Sequence, residues 1–306
     1  MTLSIVIPSH SRADLLTACL HTVIAHAPRG TQIVVVDDGS KDEAVSRAAS
    51  AFPMVEIIRH ARPLGFCRAT NTGIRAARGD AIELLNDDTE VEAGWAEAAL
   101  AHFAQPNVGS VAPLVLQLEP DRRRSGLPAR IDTAGDDYDR GGFARKRGHG
   151  QTWDEAPKLL HVAGHCWGVS AAAGFYRASA LRELGGFRES FGAYFEDVEL
   201  AHRLNRAGWS AIYEPASVVH HRVSSSYGRR PSRRTLERQS CNEERIFLQH
   251  TDGPIGTKVW LRHLAVLAGK TLRRIEEGTL APWLAGRMRA VAETAFRSEF
   301  TSGISG

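Results

Sequence analysis

Three short β-branched segments in the first 90 residues each end in a cluster of polar residues. They are residues 3–8, followed by Ser-His-Ser-Arg; 33–36, followed by Asp-Asp-Gly-Ser; and 81–85, followed by Asn-Asp-Asp. Stretches with helical apolar spacing separate them, which is the pattern of βαβ units and a mostly parallel sheet. Since open α/β sheets bind ligands at the carboxyl ends of their strands, the polar clusters mark the predicted binding edge.

The same pattern predicts the other elements of an α/β chain. Helices are predicted at 12–27, 40–51, 67–78, 178–184 and from 195 onward, strands at 55–58 and 169–176, and a last strand at 211–213 that continues at 218–220. Residues 122–150 are rich in Gly, Arg and Asp and poor in apolar periodicity, so we interpret them as a long loop near the site. Glu199 is expected on the exposed face of its helix.

Composition limits the class of protein. The chain has 306 residues, 43% of them hydrophobic and 24% charged, which suits one large α/β domain or two smaller ones. Its net charge of +3 gives no indication of a nucleic-acid partner. The four cysteines are widely spaced, the N-terminus lacks a leader pattern, and no apolar run could cross a bilayer. We therefore expect a cytoplasmic protein.

The charge is unevenly distributed. Residues 1–221 carry a net charge of −4, and residues 222–306 carry +7. The basic part is predicted to form helices at 232–250, 257–277 and 282–300, and the second combines apolar residues with Lys and Arg. Such a helix suits an anionic membrane surface, but packing on the chain's own core explains it equally well.

The segment Asn86-Asp87-Asp88 is the strongest chemical signal. In extended chain, Asn86 and Asp88 share a face while Asp87 points away, unless Asp87 joins the turn. Two oxygen ligands with room for water and phosphate suit Mg²⁺ or Mn²⁺ bridging a diphosphate. Neither GxGxxG nor GxxxxGK[ST] is present to hold phosphates, which strengthens the metal interpretation.

Two more clusters complete the predicted site. Glu196 and Asp197 begin a helix, where acids also favour the helix dipole; the functional interpretation is a general base for an acceptor hydroxyl. His220 and His221 end the last strand. Since adjacent strand residues face opposite sides, only one of them faces the site, where an imidazole suits Mn²⁺.

These residues together resemble the family 2 glycosyltransferases of the GT-A fold, particularly the bacterial rhamnosyltransferase-like branch that builds cell-surface polysaccharide. The resemblance covers about residues 3–221 and rests on ordered motifs: SIVIPSHSR, VVVDDGSKD, RPLGFCRATNTGIRAARGD, LLNDDTEV, LGGFRESFGAYFEDVELAHRLNRAGW and VVHH. It implies a GT-A type α/β fold, a mostly parallel twisted sheet flanked by helices, with a Rossmann-like nucleotide-binding half. The implied domains are a catalytic unit at 1–221, with nucleotide-sugar binding at about 1–110 and the acceptor side at about 111–221, and a basic helical region at 222–306.

The resemblance also implies a role for each matching residue. Asp88 and His220 would be metal ligands for Mn²⁺ or Mg²⁺, Asp197 the catalytic base, and Glu196 its orienting partner. The implied nucleotide-binding residues are Pro8, Ser9, His10, Arg12, Asp37, Asp38, Gly65, Arg68, Asn86 and Asp87. Asn86 replaces the first Asp of the family's metal motif, and the segment AGHCWGVSAAAGFYR and the Arg-rich loop before it differ from a generic member.

The implied reaction is an inverting, metal-dependent transfer of a sugar from a UDP- or dTDP-linked donor to a hydroxyl of a glycan or lipid-linked acceptor. One alternative is a nucleotidyltransferase that makes activated sugars, although SHSRADLL lacks the Gly- and Arg-rich phosphate segment it needs. The other is an inactive binding subunit, which predicts damage at Asp88, Asp197 or His220. The expected location is the cytoplasm, with peripheral contact to the inner face of the membrane through the C-terminal helices.

Overall fold

The computed structural model describes residues 1–222, 231–250 and 256–302. In these ranges the strands are β1 (Leu3–Ser9), β2 (Gln32–Asp37), β3 (Val55–Arg59), β4 (Ala81–Leu85), β5 (Thr89–Val91), β6 (Val108–Gln117), β7 (Ile131–Thr133), β8 (Asp136–Asp139), β9 (Phe143–Lys146), β10 (Gly164–Cys166), β11 (Ala173–Arg177) and β12 (Ser210–His221). The helices are α1 (Ala13–His26), α2 (Ala44–Ser50), α3 (Phe66–Ala76), α4 (Trp95–Ala101), α5 (Pro120–Arg124), α6 (Ala178–Leu184), α7 (Glu196–Arg206), α8 (Arg233–His250), α9 (Thr257–Glu276) and α10 (Leu280–Ser302).

One large sheet organises the chain. Its order is β10-β12-β6-β11-β4-β1-β2-β3, with β5 paired to β12 and β7 to β6. Strands β1, β2, β3 and β4 are mutually parallel, and β12 is parallel to β6. Strand β11 is antiparallel to both β4 and β6, so β6 and β12 run in the same direction as β4. The carboxyl ends of β1, β2, β4, β6 and β12 therefore meet at one edge.

Helices cover both faces of the sheet because successive strand residues face opposite sides. On β1, Ile5 and Ile7 pack with α1 and α4, whereas Val6 packs with α3 and the helices that follow β11. Helix α3 approaches β1 closely at Gly73, where a Cβ atom would lie 2.2 Å from Val6 Cγ1. The predicted α/β fold, with a mostly parallel sheet, flanking helices and C-terminal helices, is confirmed.

One interpretation of the middle of the chain was wrong, and one of its strands was not predicted. Strand β6 lies in the centre of the sheet, although Gly109 and Pro113 resemble strand breakers in sequence. Residues 122–150 are not one long loop: they contain most of α5, strand β7 paired with β6, and the hairpin of β8 and β9. The last strand, predicted at 211–213 and 218–220, is β12, and its pairing with β6 has an irregularity between Glu214 and Val218.

The C-terminal helices pack against the rest of the chain. On α8, Asn242 Nδ2 donates to the carbonyls of Phe191, Ala193 and Tyr194, at 2.9, 3.2 and 2.9 Å. On α9, the ring of His263 stacks on Phe247 of α8, with ring centroids 3.6 Å apart. These contacts attach the helices to the loop before α7 and to one another.

Candidate active site

The turn after β4 forms the centre of the candidate site. Strand β4 ends at Leu85, so Asp87 joins the turn and does not follow strand alternation. Ser9 Oγ donates to Asp87 Oδ2 at 2.6 Å, and Arg12 lies 2.5 Å from Asp87 Oδ1 and 2.7 Å from Asp88 Oδ2. Burial raises the pKa of Asp87 to about 6, although Arg12 acts in the opposite direction. Both carboxylates thus share one guanidinium at the edge of the sheet.

His221, and not His220, faces this turn. His221 Nε2 lies 3.2 Å from Asp88 Oδ1, whereas His220 Nε2 lies 2.6 Å from Glu92 Oε1 on the other face of β12. Of the pair, only His221 lies beside Asp88, so the contacts do not support His220 as a metal ligand, and metal binding by either histidine stays a prediction. His221 shares its face with Val219, which is fully buried, because residues i and i+2 of a strand point the same way.

Asp132 on β7 fixes the orientation of His221 and was missed in the sequence. Its Oδ2 lies 3.0 Å from His221 Nδ1, and Lys146 Nζ donates to both of its oxygens at 3.0 and 3.1 Å. Burial opposes ionisation, but the hydrogen bonds with His149 and His221 hold the pKa of Asp132 far below its usual value. Burial likewise lowers the pKa of His221, yet the bonds with Asp132 and Asp88 outweigh it and raise the pKa to about 9. The only sequence signal for Asp132 is a single acid between the β-branched residues Ile131 and Thr133.

The turn after β2 is stabilised by its own two acids. Asp37 is fully buried and accepts hydrogen bonds from Ser40, Ser46 and Arg59, the shortest at 2.6 Å from Ser46 Oγ. Burial acts to raise the pKa of Asp37, but these bonds hold it below its usual value. Asp38 accepts the N–H groups of Leu64 and Gly65, both at 2.8 Å, and His60 Nδ1 at 2.8 Å.

Both carboxylates therefore bind the protein's own donors, and their contact with base and ribose stays a prediction. Gly39 follows Asp38 in the turn after β2 and has φ +66°. A Cβ atom at this position would lie 2.5 Å from the backbone of Arg62. The turn therefore requires glycine at this position.

The remaining predicted nucleotide-binding residues lie around the same edge. Pro8 is buried, and His10 is exposed with Nδ1 2.9 Å from the Asp38 carbonyl oxygen. Gly65 precedes α3 with φ +94°. Arg68 is exposed and donates to Glu189 Oε2 at 2.9 Å, so its contact with a phosphate stays a prediction.

A second group of carboxyls lies at the start of α7. Asp197 accepts the N–H of Ala171 at 3.1 Å and that of Val198 at 2.9 Å. Glu196 is buried, and burial, together with the charge of Asp197, raises its pKa to about 8. Asp136 of β8, also missed in the sequence, is buried, and the same two causes raise its pKa to about 7. A carboxyl of pKa about 8 is mostly protonated at pH 7, which favours Asp197 over Glu196 as a proton acceptor.

One short segment joins the two acidic groups. The carbonyl of Ala172 accepts the N–H of Asn86 at 2.9 Å, and the N–H of the preceding Ala171 donates to Asp197. Immediately before α7, Tyr194 and Phe195 have φ of +72° and +66°. Consecutive left-handed non-glycine residues are costly and cluster at functional sites. Asn242 of α8 binds the carbonyl of Tyr194 and stabilises this conformation.

Glu199 was wrongly expected to be exposed. It is fully buried, and it pairs with Arg203 at 2.7 Å and with Arg188 at 2.9 Å. Arg203 also donates to the carbonyls of Leu184 and Gly186, so Glu199 connects α7 to the end of α6. Its role is structural.

Asp88 and His221 can hold a divalent cation only if oxygen atoms of the substrate also coordinate it. Among the described residues, no group of three or more His, Cys, Asp or Glu side chains is arranged to hold a metal ion. Asp88 and His221 nevertheless offer one carboxylate and one imidazole within 3.2 Å of each other. Mn²⁺ and Mg²⁺ accept such a set when phosphate oxygens and water complete it. His221 must lose its proton to become a ligand.

Comparison of folds places this sheet in a known class. A crystal structure of GalNAc-T7 with UDP, GalNAc and Mn²⁺ is 19% identical and superposes with a TM-score of 0.62 over 87% of this chain and 54% of that one. The mannosyltransferase PcManGT from Pyrobaculum calidifontis, in complex with GDP-Man and Mn²⁺, is 19% identical with a TM-score of 0.53 over 99% of this chain and 80% of that one. The predicted GT-A type fold is confirmed.

Sequence comparison identifies the family. Residues 4–174 match the model of glycosyl transferase family 2, so the chain belongs to that family. It is 33% identical over 223 residues to the pre-mycofactocin glycosyltransferase of Mycobacterium tuberculosis strain H37Rv, an alignment of 71% of this chain and 42% of that protein. It is 28% identical over 254 residues to the N-acetylglucosaminyl-diphospho-decaprenol L-rhamnosyltransferase of the same strain, covering 75% and 79%.

Length and hydropathy add two facts. The chain spans about two fifths of the length of the pre-mycofactocin glycosyltransferases that it matches. In the ranges that the structure describes, every helix is too short or too polar to cross a membrane.

Proposed function

We propose that this chain transfers a sugar from a nucleoside diphosphate donor to an acceptor hydroxyl, with inversion at the anomeric carbon. The observation that carries the proposal is that the segment Ala171–Ala172 binds both acidic turns: Ala172 accepts the N–H of Asn86, which precedes Asp87 and Asp88, and Ala171 donates to Asp197. Family membership and the fold support the same reaction class.

In the proposed donor site, the nucleotide lies along the carboxyl ends of β1, β2 and β4. Asp88 and His221 hold Mn²⁺ or Mg²⁺ in this proposal, and the ion, when bound, would neutralise charge that develops on the leaving diphosphate. Arg12 lies between the two carboxylates and gives the same edge a cation. Pro8, Ser9, His10 and the turns after β2 and β4 would surround the nucleoside, with a UDP- or dTDP-linked sugar as the donor. Relatives in solved structures carry UDP or GDP-Man with Mn²⁺.

Asp197 acts as the general base in this proposal. It takes the proton of an acceptor hydroxyl, whose oxygen forms a bond to C1 of the sugar as the bond from C1 to the diphosphate oxygen breaks on the opposite side. Glu196 is mostly protonated at pH 7 because its pKa is about 8, so it serves as a hydrogen-bond donor that orients the acceptor or the base.

The acceptor side of the proposal is formed by residues 111–221. A glycan or lipid-linked acceptor is proposed because one relative is named for the transfer of rhamnose to a diphospho-decaprenol-linked sugar. A role in polysaccharide or glycolipid synthesis at the inner face of the cell membrane follows from that acceptor class.

Two variants test the assignment. The protein is incubated with UDP-, GDP- and dTDP-sugars and Mn²⁺ or Mg²⁺, and released nucleoside diphosphate is measured; nucleotide binding is measured by calorimetry. Asp197→Asn should lower kcat about 10³-fold and leave metal-dependent nucleotide binding unchanged, whereas Asp88→Ala should lose both. Asp137→Asn is the matched control, since Asp137 forms an exposed pair with Arg145. Normal turnover by Asp197→Asn would exclude it as the base, and formation of nucleoside triphosphate from pyrophosphate would indicate a nucleotidyltransferase.

A further inference from the structure

Helix α9 carries an apolar stripe that the described protein leaves uncovered. Leu261, Leu264, Leu272 and Ile275 are 61%, 55%, 67% and 56% exposed. Ala265 and Ala268, which complete the stripe, are also exposed. At 100° per residue, these six positions fall within an arc of about 100° on the helix. Isolated exposed leucines are common, but a continuous apolar face of this length marks an interaction surface.

The opposite face of α9 is firmly attached to the protein. His263 is buried, stacks on Phe247, and lies with Nδ1 2.7 Å from the Gly141 carbonyl. Lys270 pairs with Glu243 of α8. The orientation of the helix is therefore fixed from the side facing the protein, and the apolar stripe points outward as a consequence.

Cations line one edge of the stripe. Helical spacing places Lys258, Arg262 and Arg273 about 70° to 130° from the centre of the stripe, all on one side, where the exposed acid Glu276 also lies. Arg262 pairs with the half-buried Asp139, and Arg273 pairs with the exposed Glu277. Exposed ion pairs such as Arg273–Glu277 are weak, so a denser array of anions can replace them. Residues 256–294 contain seven basic and three acidic side chains.

Helix α10 adds a second exposed apolar row of the same kind. Leu284, Met288 and Val291 follow the i, i+4, i+7 spacing and are 44%, 71% and 51% exposed. The buried side of this helix contains Trp283 and Arg287, and Arg287 pairs with Glu243 and Glu244 of α8. Both helices are thus anchored through their charged or aromatic inner faces and present aliphatic side chains outward.

We propose that the α9 stripe binds the surface of an anionic lipid bilayer, with the helix lying in the plane of the interface. An outward aliphatic face, a row of cations at its edge and the net positive charge of residues 256–294 are the combination that an interfacial helix requires. The inference extends the proposed peripheral location to a particular surface, and it does not depend on the transfer chemistry.

A second copy of the chain is the competing occupant, because Leu261, Ala265, Ala268, Leu272 and Ile275 also follow the spacing of a coiled-coil seam. A second copy brings the same net positive charge in residues 256–294, whereas an anionic bilayer supplies the opposite charge. The charge of this segment therefore favours the bilayer.

Vesicle co-sedimentation tests the proposal. The full chain should pellet with vesicles of phosphatidylcholine mixed with phosphatidylglycerol, less with phosphatidylcholine alone, and less as salt increases. Leu264→Ser/Leu272→Ser should bind the anionic vesicles about tenfold or more weakly, because two aliphatic side chains no longer enter the bilayer. Leu127→Ser/Leu159→Ser is the matched control, since these leucines are 52% and 71% exposed elsewhere, and it should bind like the wild type.

Three outcomes would overturn the proposal. They are no binding to anionic vesicles, equal binding by the two double variants, and a dimer in sedimentation velocity that Leu264→Ser/Leu272→Ser dissociates. The substituted leucines are exposed, so circular dichroism should show unchanged folding. Asp197→Asn should still bind vesicles, which separates failure of this proposal from failure of the proposed reaction.

Discussion

Replacing Asp132 by Asn should change both the stability of the protein and its dependence on pH. Asp132 is buried and lies against two cationic side chains, Lys146 and His221. Asparagine keeps the size of the side chain but removes its charge, so Lys146 and His221 each lose one ion pair. Breaking a buried ion pair from one side typically costs about 3–5 kcal/mol.

The dependence of the free energy of unfolding on pH follows from the titration of His221. Its pKa is about 9 in the folded protein and 6.5 as a model value. A raised pKa means that the folded state binds the proton more tightly, so this stabilisation is fully present below pH 6.5 and is lost as the pH rises through 9. The shift corresponds to roughly 3 kcal/mol for this side chain, which is only 12% exposed. In Asp132→Asn the part of the rise in the pKa of His221 that Asp132 supplies should disappear, while Asp88 continues to raise it.

Urea unfolding followed by tryptophan fluorescence, in the presence of a chelator and a thiol reductant, measures this effect. The wild type should exceed Asp132→Asn by about 3 kcal/mol at pH 6, and the difference should shrink steadily up to pH 9.5. Asp137→Asn, which removes a half-exposed partner of Arg145, should stay within about 0.5 kcal/mol of the wild type. A difference for Asp132→Asn that does not change between pH 6 and pH 9.5 would refute the assignment to His221.

Three further substitutions probe other parts of the fold. Glu199→Gln should lower the free energy of unfolding by about 3 kcal/mol in urea titration, because Arg188 and Arg203 lose a fully buried carboxylate. Gly39→Ala should destabilise by about 2 kcal/mol or more and weaken nucleotide binding in calorimetry, because its Cβ would overlap the backbone of the neighbouring turn. Asn242→Ala should lower kcat severalfold at unchanged nucleotide affinity, since it releases the strained residues before α7; an equal loss of nucleotide affinity would contradict this role.

Local patterns predicted the elements that local forces determine. Strand β4 and helix α6 have the predicted bounds. The signals for them, a run of apolar residues in β4 and a glycine directly after α6, lie within or next to the element itself. Strand β6 was missed because Gly109 and Pro113 lower its strand propensity, while pairing with β12 along its length supplies the stability. Pairing with a strand that is distant in the chain cannot be predicted from the sequence of β6 alone.

The buried charges were the least predictable part. Glu199 has the polarity of an exposed residue, and its burial depends on Arg203, one turn further along α7, and on Arg188 from outside the helix. Asp132 gains its role only when β7 pairs with β6 and brings it against the end of β12. Long-range contacts therefore decide which acids are functional, and spacing along the chain does not reveal them.

The choice between His220 and His221 shows how one irregularity limits sequence reasoning. Alternation counted from Tyr213 cannot be continued to the end of β12, because the register with β6 shifts between Glu214 and Val218. Val218 and Val219 are both apolar, so hydrophobicity alone does not identify the inner face. In the structure Val219 is buried, and His221 lies on the same face of β12 as Val219, which places it beside Asp88.

The match to the family model ends at residue 174, yet the candidate site depends on residues beyond it. Asp197 binds Ala171 at the end of the matched region, and His221 binds Asp88 near its middle. Strand β12 reaches that position because it inserts between β10 and β6, and α7 reaches it because the strained turn at Tyr194 and Phe195 is braced by Asn242 of α8. Helix α8, which carries Asn242, also holds α9 through the stacking of Phe247 on His263, so the proposed membrane surface and the loop before the proposed base are attached to the same helix.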